Sequence, residues 1–208
     1  MKRKAEENVR ENITPKSWLE ISTLPRDLHV DGKLFEELWE LRPAVVSKIM
    51  MYGKLIDTPR LQQSYMRNYI FSGVEAIAVP LPEILKPYLE WANDQDYGEF
   101  NQCLVNWYHD GSQYIGSHAD DEKQLVKDSP IVTITFCQPA QGEKVVVPRT
   151  FRLRKDKKMV KDIATHNNTV IVMGGAFQSE LKHEIVKIAG KKAPKVGPRI
   201  SLTMRQFS

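Results

Sequence analysis

The stretch Arg199-Ile200-Ser201-Leu202-Thr203-Met204-Arg205 alternates polar and apolar residues without a break. On an extended backbone successive side chains point to opposite faces, so Arg199, Ser201, Thr203 and Arg205 share one face and Ile200, Leu202 and Met204 take the other. The apolar face suits a core. The polar face carries two guanidinium forks whose geometry matches carboxylates, as a site for a dicarboxylate would require. A surface strand with ordinary arginines would read the same way, so this strand alone leaves the two readings even.

Outward from it, the same period recurs. Cys103 to Tyr108, Ile131 to Phe136, Val145 to Val147, Thr150 to Arg154, Thr169 to Met173 and His183 to Ile188 are short runs rich in β-branched and aromatic residues. Asp110-Gly111, Ser129-Pro130, Gly174-Gly175 and Gly197-Pro198 separate them as turns. Before residue 100 the period is helical. Leu34, Phe35, Leu38 and Leu41 follow Asp31 as N-cap and stop at Pro43, while Leu85, Tyr88 and Leu89 follow Pro82 and stop at Asn93-Asp94. Many short strands after two helices predict a mainly β fold with flanking helices, a sandwich or jelly roll.

At 208 residues the chain holds one ordinary domain. Residues 1–14 are expected to be a flexible charged segment, and 15–208 a single domain: 15–100 a helical buttress with a recognition lid, 101–208 the β core. With 41% hydrophobic and 27% charged residues the composition is that of a soluble globular protein, and no apolar run is long enough to span a bilayer. Cys103 and Cys137 lie in apolar alternating stretches and read as buried free thiols, which fits a reducing, intracellular setting, nuclear or cytoplasmic. The net charge of +4 is unevenly spread. Residues 1–140 carry 15 Lys+Arg against 21 Asp+Glu, a net −6, and residues 141–208 carry 15 against 5, a net +10. A basic body of that kind attracts polyanions, although a solvated lysine-rich face is an even alternative on charge alone.

His118-Ala119-Asp120 sets an imidazole and a carboxylate two apart, on one side of an extended backbone. His183, 65 residues later at the head of an alternating run, is the best-placed third ligand. Two histidines and a carboxylate leave one side of an ion open, as non-haem Fe(II) oxygenases need. His29, His109 and His166 have no partner at ligand spacing and read as ordinary surface or hydrogen-bonding residues.

The order Asn106-Trp107-Tyr108-His109-Asp110-Gly111, His118-Ala119-Asp120-Asp121-Glu122, Ser129-Pro130-Ile131, Gly174-Gly175, His183 and Arg199 to Arg205 resembles the AlkB-type nucleic-acid dioxygenases, from about Tyr52 to Phe207 and closest to the DNA-repair branch. The resemblance implies a double-stranded β-helix, or jelly-roll, core. It makes His118, Asp120 and His183 the Fe(II) ligands. Asn106, Tyr108, Arg199, Ser201, Thr203 and Arg205 become contacts for 2-oxoglutarate, with Arg199 on its distal carboxylate and Arg205 nearer the metal. Position 201 is Ser where some relatives have Asn, and Cys137 to Val147 is longer than the corresponding turn in typical relatives.

It further implies O2-dependent removal of alkyl groups from base nitrogens in DNA, with RNA as a second substrate, by a protein expected to act as a monomer. Met51-Tyr52-Gly53-Lys54, Pro59-Arg60 and Tyr69-Ile70-Phe71 resemble a substrate lid. On that likeness Tyr52 is a wedge in the base stack. Gly53, Lys54 and Arg60 belong to the same surface, Tyr69 and Phe71 contact the extruded base, and Asp121 and Glu122 lie near its polar edge; the alternative is that Tyr52, Tyr69 and Phe71 are core aromatics. Arg149 and Phe151 match an Arg-x-Phe element that reads as structural, and Arg149 with the basic run Arg152 to Lys161 is also a candidate phosphate contact. Two rivals stay open: a relative that demethylates or hydroxylates RNA or protein, and a binding module that keeps the fold without the reaction. Intact His118, Asp120, His183 and Arg199 weigh against the second.

Overall fold

In a computed structural model of the chain, residues 6–51, 53–71, 73–120, 123–139 and 147–208 are described. The strands are β1 (Glu6–Asn12), β2 (Ser17–Thr23), β3 (Lys48–Met51), β4 (Lys54–Asp57), β5 (Leu61–Tyr65), β6 (Tyr69–Phe71), β7 (Val74–Ala76) and β8 (Gln102–Tyr108). There follow β9 (Ile115–His118), β10 (Ile131–Cys137), β11 (Arg149–Lys155), β12 (Lys158–Thr165), β13 (Thr169–Gly175), β14 (Lys182–Ile185) and β15 (Arg199–Arg205). The helices are α1 (Gly32–Glu40), α2 (Lys86–Asn93) and the single turn α3 (Phe177–Glu180).

A large sheet runs in the order β1-β2-β13-β10-β15-β8-β5 and a small one in the order β12-β11-β14-β9, with β3-β4 and β6-β7 as separate hairpins. The two sheets face each other as a jelly roll. Strand β15 sits inside the large sheet between β10 and β8, with Thr203 opposite Thr133 on one side and Leu104 on the other.

The period-two pattern of β15 sorts the layers. Ile200, Leu202 and Met204 join Cys103, Val105, Trp107, Val132, Ile134 and Phe136 in a core that Phe35 and Leu38 of α1 and Tyr88 and Trp91 of α2 cover. Each such side chain contributes about 1.5–3 kcal/mol of burial. The Trp107 indole N–H donates to the Leu38 carbonyl at 3.0 Å and pins α1 to the sheet. On the opposite face, Ile131, Ile171 and Met173 meet Phe151, Leu153, Ile163 and Ile185 of the small sheet. Between the sheets, at one end, the polar residues of β15 line the site.

Helix α1 starts as its capping residue dictates, the Asp31 carboxylate accepting from the Leu34 N–H at 2.8 Å. Helix α2 begins later than Pro82 suggests. A 3-10 turn over Glu83–Leu85 precedes it, Pro87 occupies its first turn, and its buried face is Tyr88, Trp91 and Ala92. Gly174-Gly175 is the end of β13 rather than a free turn. A side chain at Gly174 would collide with the Trp18 ring, and Gly175, at φ +68°, lies against the Lys16 carbonyl.

Three expectations are corrected. Of the segment 1–14, the described part is not a free tail: Glu6–Asn12 forms β1, paired antiparallel to β2 with Arg10 at 3.6 Å over the Trp18 ring. Its charged sequence suits the edge of the large sheet, where solvent takes one side. Residues 15–100 give the large sheet β2 and β5 as well as buttressing it. The basic run up to Lys161 conceals β12, whose exposed start, Lys158 to Val160, precedes a half that buries Ile163 and Thr165. Most of Cys137 to Val147 falls outside the described residues. Both cysteines are free and buried.

Candidate metal centre

Strands β9 and β14 pair antiparallel with His118 directly opposite His183, their ring centroids 4.3 Å apart. Asp120 follows two residues after His118 on the same side, so ligand atoms of all three groups lie within 4.8 Å of one another. The His118 Nδ1 contacts the Gly116 carbonyl at 2.9 Å. A carbonyl only accepts, so Nδ1 holds the proton and Nε2 presents its lone pair, 3.7 Å from Asp120 Oδ1. His183 is oriented by packing: Phe151 stacks on it at 5.3 Å, Phe177 flanks it, and its Nδ1 is buried without a hydrogen-bond partner.

Burial keeps both rings neutral. It lowers the His183 pKa to about 3, with the neighbouring His118 adding to the effect, and lowers that of His118 against the pull of Asp120. Burial would raise the Asp120 pKa, but Arg205 and then the two histidines outweigh it and hold the carboxyl below its ordinary range. Two neutral imidazoles and one carboxylate are the protonation states that a transition metal binds. With the rings neutral, the short His118–Asp120 approach is no ion pair, and the two ligand atoms are placed where one cation could engage both.

Around Asp120 the fold is closely built. Arg205 Nη2 forms an ion pair with Oδ2 at 3.0 Å, and Arg205 Nη1 donates to Gln102 Oε1 at 3.1 Å. The Tyr69 hydroxyl lies 3.5 Å from Oδ1, and the Arg205 guanidinium sits 4.7 Å over the Tyr69 ring. The Asp120 N–H donates to Gln178 Oε1 at 2.9 Å.

Register assembles the second half of the site. On β15 and β8, Arg199 faces Tyr108 and Ser201 faces Asn106; on β15 and β10, Ser201 faces Thr135 and Thr203 faces Thr133. All of them, with Arg205, line one cavity together with His118, Asp120 and His183, except that Thr135 stands behind Arg199. Arg199 donates through Nη2 to Thr135 Oγ1 at 2.9 Å, and its guanidinium carbon lies 5.1 Å from the centre of the Tyr108 ring. Its Nε and Nη1 are buried and have no hydrogen-bond partner. Such donors are costly to bury unless a ligand engages them, and a carboxylate is the group a guanidinium fits best. Metal and keto acid therefore fit the residues present.

The lid residues divide. Arg60 is buried in the same cavity, donating through Nε to Asn106 Oδ1 at 2.7 Å and through Nη2 to Gln62 Oε1 at 3.0 Å. With Oδ1 accepting from Arg60, the Asn106 NH2 is the group that could donate to a ligand in the cavity. Tyr69 is also buried, against Asp120, so both face the metal side of the cavity instead of an open surface. Gly53 and Lys54 are exposed at the β3–β4 hairpin, where Met51 pairs with Lys54. Tyr52, Asp121, Glu122 and the Phe71 side chain lie outside the described residues. Arg149 is no phosphate contact: it is 1% exposed and donates to the carbonyls of Asp110, Gln113 and Val186. Thr133, Thr135 and Gln178 carry no sequence signal of their own; only strand register and the position of α3 bring them to the site.

A family model described as the 2OG-Fe(II) oxygenase superfamily matches residues 40–205. The DNA oxidative demethylase ALKBH2 of Mus musculus is 34% identical over 110 residues, 50% of this chain and 46% of that protein, and its Homo sapiens counterpart is 31% identical over 110 residues. The alpha-ketoglutarate-dependent dioxygenase alkB homolog 3 of Mus musculus is 27% identical over 116 residues, 51% of this chain and 36% of that protein. The matches thus span less than half the length of these curated relatives. Among solved structures, OsALKBH1 superposes with a TM-score of 0.52 at 16% identity, covering 95% of this chain and 100% of that one, a likeness of fold. With four-fifths of its length matched by that family model and AlkB homologues among its relatives, the chain belongs to the 2OG-Fe(II) oxygenase superfamily as an AlkB-like member.

Proposed function

We propose that this protein is an Fe(II)- and 2-oxoglutarate-dependent dioxygenase that removes alkyl groups from base nitrogens in nucleic acid, DNA first. One observation carries the reading: His118, Asp120 and His183 converge in the cavity where Arg199 holds two unpartnered donors. The activity printed in the name of the ALKBH2 relatives supports DNA as the polymer.

His118, Asp120 and His183 would hold iron through one side, and Arg199, with Ser201 and Thr203 beside it, would hold the far carboxylate of 2-oxoglutarate. Arg205, between Asp120 and Gln102, lies toward the metal end. Asn106, whose Oδ1 accepts from Arg60, would offer its NH2 to the keto acid. Bound together, iron and the keto acid supply oxidation by O2: 2-oxoglutarate leaves as succinate and CO2, and one oxygen atom enters an alkyl C–H bond of the substrate. A hydroxymethyl group on a base nitrogen then breaks its C–N bond and leaves as formaldehyde, the hydroxyl proton passing to the nitrogen. The protein's own share is orientation and exclusion of water, for which the apolar wall of Leu104, Ile115, Phe151 and Ile185 is suited.

The test is mass spectrometry of methylated oligonucleotides, single- and double-stranded, DNA and RNA, incubated with Fe(II), ascorbate and the keto acid. Loss of the methyl mass only when 2-oxoglutarate is present is the expected result. Unchanged oligonucleotides with the keto acid unconsumed would sink the proposal.

A further inference from the structure

Helix α3 is only one turn long, yet it is fastened at every residue that matters. Phe177 is fully buried between the sheets, and Glu180 accepts from the Thr14 and Ser17 hydroxyls of the β1–β2 turn. The Ala176 N–H, just before the helix, donates to the Lys16 carbonyl at 2.9 Å. Between these anchors Gln178 reaches across to the loop after β9. Its Oε1 accepts from the Asp120 N–H at 2.9 Å, and its Nε2 contacts the Met173 sulfur at 3.8 Å.

Asp120 lies beyond the end of β9, where no sheet ladder fixes its backbone. The side chain has two tasks that depend on how that peptide is turned: Oδ1 faces His118 Nε2 while Oδ2 faces Arg205. Arg205 holds Oδ2 and the Tyr69 hydroxyl reaches Oδ1 only at 3.5 Å; both act on the carboxylate and neither on the peptide, so a rotation of the backbone would carry Oδ1 away from the histidines.

We infer that Gln178 is a positioning residue for the metal centre: by accepting from the Asp120 N–H it fixes the peptide that aims the carboxylate, and it links the loop of one ligand to the helix preceding the strand of another, His183. The inference rests on the proposed metal centre.

Three chains, the parent, Gln178→Met and Gln178→Glu, separate the roles. Methionine keeps the length and an apolar contact with Met173 but replaces the amide oxygen by a weakly accepting thioether; glutamate accepts fully. Co(II) titration followed by its visible absorption, without keto acid or substrate, reads affinity and ligand geometry, and thermal unfolding of the metal-free chains reads the fold. Expected are a Co(II) affinity about 10–100-fold weaker in the methionine variant with an altered absorption envelope, and parent-like binding in the glutamate variant. The metal-free unfolding midpoints should stay close. If the methionine variant binds Co(II) as tightly as the parent, or both variants lose affinity alike, the inference is overturned. A parent chain that takes up no Co(II) would overturn the metal-centre reading and this inference with it.

Discussion

The two faces of β15 carry the same strand into different trades. On one, Ile200, Leu202 and Met204 are interchangeable in kind, because a core asks only for apolar volume that packs under α1 and α2. On the other, Arg199, Ser201, Thr203 and Arg205 are equally buried, but each has a particular partner: Thr135, Asn106 across the strand, Thr133, Gln102 and Asp120. Burial alone therefore does not distinguish core from site. Open partners that line a shared cavity do, and Arg199 keeps two buried donors open beside His118, Asp120 and His183.

The comparison breaks most completely at the metal. Asp120→Asn preserves the shape but removes the charge that Arg205 and a cation share, so turnover should fall to background and Co(II) uptake should disappear. Uptake equal to the parent's would remove Asp120 from the ligand set. Next comes Arg199→Ala. Removing one partner of a buried charge pair costs about 2–5 kcal/mol, which corresponds to at least roughly 30-fold in apparent affinity for 2-oxoglutarate. Titration of the metal-loaded chain with the keto acid reads this directly, and an unchanged affinity would show that the open donors serve something else. The mirror experiment is Leu202→Ala on the other face. It should lower unfolding stability by about 3 kcal/mol through a cavity under the helices, with keto-acid affinity intact in the folded fraction. If both substitutions moved both observables alike, the two faces would not be separable.

That division also explains what could be read from the chain. Strand β15 was legible because alternation is a local signal, and His118-x-Asp120 because spacing two on an extended chain keeps both groups on one side. His183 needed the order of motifs, and β9–β14 pairing sets it opposite His118. Gln178, Thr133 and Thr135 were invisible, since each acts on a partner at least 58 residues away that only tertiary structure supplies. Arg149 carries two readings in the sequence, structural and phosphate contact, and the three carbonyls that bury it decide for the structural one. Edge strands β1 and β12 were missed because solvent-facing strands carry charges that mask their period.

Beyond the cavity the effects should shrink. Tyr52→Ala, between Met51 and Gly53 in the sequence, is expected to weaken repair of duplex substrate by about 1–3 kcal/mol, the scale of one base stacked on an aromatic ring, and to affect single strands far less. Rates on matched single- and double-stranded oligonucleotides check it. Equal decreases on both would end the wedge reading and leave the tyrosine a structural residue.

The smallest effect belongs to the basic hairpin β11–β12, and it sharpens the contrast between engaged and open groups. Arg152 pairs with Asp162 through two bonds of 2.7 Å, Arg154 with Glu184 at 2.8 Å and Lys161 with Glu11 at 2.6 Å, so these cations already have internal counter-charges. Lys155, Lys157 and Lys158 are exposed and take part in no ion pair among the described residues. If the hairpin lies along a phosphate backbone, only the latter set can release counterions on binding. Lys157→Ala with Lys158→Ala should then lower the slope of log affinity against log salt by about 0.9 for each phosphate no longer neutralised, with little change in sequence preference. Arg152→Ala should leave that slope alone, because the substitution exposes Asp162 rather than freeing a phosphate. Oligonucleotide binding over a salt series decides between them: a slope that responds to Arg152 and not to the lysines would mean that the internal pairs open on binding, and that the engaged cations are the ones facing the polymer.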